Sequence, residues 1–207
     1  HTYDGNPWAP DAEAGDMVNG DKLTLTVTGQ ETNAGSHTAT VTEIQGDKAG
    51  NYKLPDDPTT SFTITQAEAQ FTAPTARTGL TYNGEPQELI NSGSSAHGTF
   101  QYWLDGQEPS TEIPKGTNAG KYTVYYQLMG DQNHENGTAG KIDVEIAPKN
   151  ISDATVTLGE SLTYNGQQQT QSVASVEVDG LEVTYDVTDN TGTNAGSYKM
   201  TLTGTDN

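Results

Sequence analysis

Thr117-Asn118-Ala119-Gly120-Lys121-Tyr122-Thr123-Val124-Tyr125-Tyr126-Gln127-Leu128 reads as a turn that runs straight into a strand. Asn and Gly supply turn chemistry because both tolerate backbone that other residues avoid. From there Tyr122, Val124, Tyr126 and Leu128 alternate with Thr123, Tyr125 and Gln127. A period of two means one buried face and one wet face. The same alternation returns in Leu23–Thr28, Phe100–Asp105, Ile142–Ile146 and Leu181–Thr188. The 32 Thr fit the wet faces, since a β-branched polar side chain suits an exposed strand position. Sustained helical spacing is absent; Ala12–Met17 and Gln66–Gln70 offer a turn of helix at most.

The opening turn recurs as Thr32-Asn33-Ala34-Gly35 and Thr193-Asn194-Ala195-Gly196. A second anchor precedes each copy: Tyr3-Asp4-Gly5, Tyr82-Asn83-Gly84 and Tyr164-Asn165-Gly166. The anchors divide the chain into three units of about 80 residues, each the size of a small domain. The expected boundaries give units 1–66, 67–147 and 148–207. The longer spacing in the middle unit points to an insertion near Gly106–Gly116, carrying Pro109 and Pro114. The first unit has only His1 and Thr2 ahead of its Tyr anchor, and the third stops before any counterpart of Ser61–Thr65 or Lys141–Ile146. Each terminal unit is therefore expected to lack one strand. The junctions hold no Gly/Ser-rich linker, so the partners of each unit are expected to be its neighbours in the chain.

Each unit is expected to hold five to seven strands, which matches a small antiparallel sandwich. The Tyr that follows each turn, Tyr122 and Tyr198, resembles the tyrosine corner of immunoglobulin-like folds. His37 stands in that place in the first unit, where a neutral imidazole can offer a similar bond. A β-grasp-like unit is the alternative. The two anchors in tandem resemble the YDG- and MBG-type repeats of bacterial surface adhesins. Tyr3-Asp4-Gly5 is similar to the YDG type; Leu80–Gly84 and Leu162–Gly166 are similar to the MBG type. The resemblance implies three tandem immunoglobulin-like β-sandwich domains in an extended, extracellular stalk on a bacterial cell. It implies no catalytic residues.

Composition excludes several other functions. The chain has 28 Asp and Glu against 9 Lys and Arg, a formal net charge of -19. Nucleic-acid and anionic-lipid partners need the opposite sign. No apolar run is long enough to span a bilayer. No basic-apolar leader stands at His1, so an export signal is expected outside these residues. Without Cys there is no disulfide, thiol nucleophile or thiolate metal site. No Gly-x-Ser-x-Gly elbow, phosphate loop or His-Glu-x-x-His is present, so no enzyme is expected. A Lys–Asn isopeptide crosslink is not expected either, because Lys121 aligns with Ser36 and Ser197.

Two binding readings remain. Trp103 and Tyr125 fall on outward positions of neighbouring strands, so their rings are expected side by side. A sugar could stack there, with Asp105 and Gln127 supplying hydrogen bonds, and the partner would be a host glycan or mucin. Oxygen-rich loops around Asp131, Asn133 and Glu135, and around Asp186 and Asp189, are candidate calcium ligands, although the same residues make ordinary turns. No cofactor is otherwise expected. None of His1, His37, His97 and His134 falls at metal-ligand spacing from another. Asp-Gly and Asn-Gly in the first anchor are read as tight hairpins with positive φ at both residues.

Overall fold

The computed structural model describes residues 1–15, 17–152 and 154–204. The first segment holds β1 (Thr24–Thr28), β2 (Gly35–Gln45) and β3 (Thr59–Ile64) in one antiparallel sheet, with β2 central. The second holds β4 (Thr75–Ala76), β5 (Gln87–Glu88), β6 (Ile90–Asn91), β7 (Gly98–Leu104), β8 (Lys115–Gly116), β9 (Gly120–Gly130) and β10 (Gly140–Ile146). Its main sheet runs β10-β9-β7, with the short pairs β4-β6 and β5-β8 beside it. The third holds β11 (Thr155–Leu158), β12 (Gln169–Thr170), β13 (Val173–Val178), β14 (Leu181–Glu182), β15 (Tyr185–Thr188), β16 (Thr191–Gly192) and β17 (Thr201–Gly204). The protein is all-β, and every strand ladder is antiparallel.

The alternation decides what is buried. Phe100 and Tyr102 on β7, Val124 and Leu128 on β9, and Val144 and Ile146 on β10 all point to one side. Leu89 and Ile90 meet them, and Leu80, Tyr82, Tyr122 and Tyr126 pack at the margin. Each fully buried Leu or Ile is worth about 1.5–3 kcal/mol relative to exposure. A smaller core joins Ala39, Phe62 and Ile64 with Tyr3, Trp8 and Val27 in the first segment. Both cores are closed by a parallel bridge from the stretch before the Tyr anchor to the end of the last strand. Thr2 bridges Thr65, and Thr81 bridges Ala147.

Several expectations need correcting. The first segment has three strands, not five to seven, among the described residues. Pro10, Pro55 and Pro58 interrupt its remaining stretches, and proline cannot donate to a ladder. The helical turns lie elsewhere: 3-10 turns form at Val18–Gly20 and Ala49–Asn51. Gln66–Gln70 is extended because Ala67 pairs on both sides, its N–H donating to Asn133 O (2.9 Å) and its carbonyl accepting from Glu135 N–H (2.8 Å). The helical reading of Ala12–Met17 includes Asp16, which lies outside the described residues. Leu181–Thr188 is two strands, because Leu181 and Glu182 pair with β13 whereas Tyr185–Thr188 pairs with β17. The insertion near Gly106–Gly116 is pinned where Ser110 bridges Tyr102 at the edge of β7.

Candidate binding and metal sites

Both sequence anchors resolve into local hydrogen-bond devices. In each Tyr-Asp/Asn-Gly copy the acidic or amide side chain accepts a backbone N–H two residues on. Asn6 N–H donates to Asp4 Oδ1 at 2.9 Å, Glu85 N–H to Asn83 Oδ1 at 3.0 Å and Gln167 N–H to Asn165 Oδ1 at 2.9 Å. Only the glycine is left-handed, with φ of 81°, 79° and 76°. These are Asx turns, so the double-positive hairpin reading is wrong for them. That hairpin occurs instead at Asp179-Gly180 (φ 49° and 79°), where Val178 pairs directly with Leu181.

The Thr-Asn-Ala-Gly turn is tied from below. Tyr122 Oη donates to Asn118 O at 2.7 Å, and Tyr198 Oη donates to Asn194 O at 2.8 Å. His37 Nε2 lies 2.8 Å from Asn33 O, and because a carbonyl only accepts, Nε2 carries the proton. Ring size is matched by the residue six positions earlier. A Cβ on Gly116 would sit 2.7 Å from the Tyr122 ring, and one on Gly192 would sit 2.6 Å from the Tyr198 ring. Glu31 holds that position in the first segment, where His37 has the smaller ring.

The aromatic pair forms as expected. Trp103 and Tyr125 are register partners on β7 and β9, both half-buried, with ring centroids 5.9 Å apart and planes 16° apart. The matching register cells are Thr28–Thr40 in the first segment and Thr188–Thr201 in the third. The two polar candidates do not join the pair equally. Gln127 Nε2 already donates to Gly137 O at 3.0 Å, and Asp105 lies beyond the end of β7 in an exposed turn.

The calcium candidates are engaged in different ways. Asn133 Oδ1 accepts Ala34 N–H at 2.8 Å, and its Nδ2 donates to Asn33 Oδ1 at 3.1 Å, so both ends of that amide are engaged. Glu135 joins no ligand group among the described residues. Asp186 and Asp189 join none either; Asp189 instead accepts from Thr201 Oγ1 at 3.3 Å. Asp131 belongs to a different group. Its Oδ1 lies 2.7 Å from His134 Nδ1 and also accepts Asn133 N–H at 2.8 Å. His97 packs on His134 with ring centroids 4.0 Å apart. One ligand atom from each of His97, Asp131 and His134 falls within 4.8 Å of the others. The bond from His134, followed by that from Asn133 N–H, holds the Asp131 carboxyl below its ordinary pKa.

His97 and His134, which do not fall at metal-ligand spacing in the sequence, are brought together by the fold. Gly98 pairs with Gly130, so the next cell of the antiparallel ladder sets His97 against Asp131, whose N–H donates to His97 O at 3.1 Å.

The same loop joins two segments. Besides the Asn133 bonds, Gln66 Nε2 donates to Asp131 O and Gln132 O, both at 3.2 Å. The Tyr3 ring meets His134 edge-on at 5.4 Å. Between the second and third segments Leu181 approaches Gly84, whereas the ion pair of Lys149 with Asp179 lies inside the third. No family model matches this chain, and neither a curated protein nor a solved structure does.

Proposed function

We propose that the chain is a non-catalytic spacer: three tandem small β-sandwich domains from the stalk of a bacterial surface adhesin, holding a binding head away from the cell. The observation that carries this reading is the joint at Asn133. One side-chain amide bonds the Thr32–Gly35 turn, while the backbone beside it pairs with Ala67. The first and second segments thus meet through paired polar groups, and a joint of that kind transmits orientation. The net charge of -19 supports the reading by opposing self-association of an extended array.

Small-angle X-ray scattering tests it. A compact body of this length has a radius of gyration near roughly 17 Å. Three domains end to end, each built on strands of ten to twelve residues, give roughly 35 Å. The larger value is expected; the smaller would end the spacer reading.

A second reading is favoured by the parallel Trp103 and Tyr125 rings, which stand where the other segments have Thr pairs. Such a pair offers a hydrophobic face to a sugar ring. Retention of the intact chain on a mucin column, reduced by Trp103→Ala, is the expected result. Equal retention of both proteins would remove the glycan from consideration.

A further inference from the structure

We propose that His97, Asp131 and His134 form a binding site for one divalent transition ion of the zinc type, with water completing the coordination. Two neutral imidazoles and a carboxylate are a nitrogen-rich donor set that suits zinc and its neighbours rather than calcium or magnesium. Fold geometry makes the site without any sequence motif. His97 precedes β7, and Asp131 and His134 follow β9, so the ladder between these strands brings them to one end of the sheet.

The local structure supports the assignment in three ways. The ligand atoms already lie within 4.8 Å of one another. Asp131 is oriented by the Asn133 N–H, and His97 is anchored through its own N–H, which donates to Ser95 Oγ at 3.0 Å. Such outer bonds fix ligand direction before an ion arrives. Finally, the two imidazole rings pack at 4.0 Å, which leaves both within reach of one ion. Binding displaces the proton between His134 Nδ1 and Asp131 Oδ1. It also opens that 2.7 Å separation to about 3.3 Å, the spread of two ligands on one tetrahedral ion.

The consequence reaches the first segment. The ion would fix the loop that presents Asn133 to Asn33 and Ala34. The site stands independently of the spacer reading, since binding requires only the second segment's own loop and strand.

The test uses the tag-free full chain carrying His1→Ser, because the His1 amine and imidazole can chelate a metal by themselves. After chelator dialysis, calorimetric titration with zinc chloride near neutral pH should give one ion per chain, and excess calcium chloride should not compete. His97→Gln and His134→Gln should each weaken binding by at least the roughly tenfold loss typical of a disturbed metal site. Should a variant unfold, the parent alone still decides. Long-range proton–nitrogen spectra should show the His97 and His134 rings shifting with zinc while His37 stays in place, and Ala34 N–H should exchange more slowly. Unmoved His97 and His134 signals in excess zinc, or unchanged affinity in folded variants, would overturn the proposal.

Discussion

The second and third segments carry the same anchors but differ in how well they are closed. In the second, Val144 and Ile146 of β10 lie buried against β9, and Leu80, Tyr82 and Tyr122 pack beneath them. In the third, β17 pairs with β15 alone among the described residues. A groove of about 470 Å³ in the third segment is lined by Leu158, Leu162, Tyr164, Tyr198 and Met200. Leu162 is 47 % exposed, Tyr164 62 % and Tyr198 58 %. The turn devices survive regardless: Tyr198 still bonds Asn194 O, and Asn165 still closes its Asx turn. Local hydrogen bonding is therefore set by the motif, whereas burial depends on what packs against it.

The largest expected difference concerns core truncation. Leu89→Ala removes a fully buried side chain and should cost about 2–5 kcal/mol. Leu158→Ala removes one that is 51 % exposed and should cost less than about 1 kcal/mol. Denaturant unfolding followed by amide exchange in each segment measures both. Equal costs would mean that the third segment is closed in solution, and the comparison would fail.

Next in size is the clearance between glycine and ring. Gly116→Ala should cost about 1–3 kcal/mol by pressing on Tyr122. Adding Tyr122→His should recover most of it, copying the Glu31–His37 arrangement. Gly192→Ala should be milder, since the exposed Tyr198 ring has room to swing away. An unrepaired loss in the double variant would show that ring size is not what the glycine serves.

A smaller effect is expected from covering the groove. Fusing the Gly140–Ile146 sequence behind the third segment through a flexible linker should raise amide protection in β17 and shift the Tyr164 and Tyr198 ring signals. A fused strand that leaves both unchanged would argue that the groove does not accept a strand. The smallest effect is electrostatic. The Asp131 pKa is lowered on folding, so its contribution is present above the ordinary aspartate value and is lost as pH falls through the lowered one. Acid titration should loosen the Ala34 and Ala67 amides at the joint over that range while leaving the β7–β9 ladder intact. Simultaneous loss of both would assign the effect to global unfolding.

The sequence made some of this legible and hid the rest for physical reasons. Alternation placed Phe100, Tyr102, Val124 and Leu128 inward and set Trp103 against Tyr125, because side-chain direction follows strand period directly. The bond from Tyr122 to its turn was legible too, being closed within four residues. The meeting of His97 with His134 was not, since it depends on the register of two long strands. Nor was the joint at Asn133, where a loop that reads as solvent-facing turn chemistry closes across about a hundred residues of sequence. The break at Val183 escaped notice because a strand that changes partners keeps its alternation.

The pairing of Gly116 with Tyr122, Gly192 with Tyr198 and Glu31 with His37 has a genetic consequence. Tandem copies of similar sequence invite recombination between them. A crossover falling inside those seven residues would join Glu to Tyr and drive a side chain into the ring. The reciprocal product, with Gly ahead of His, would leave the ring clear, so only one of the two products would lose the fit between turn and tether.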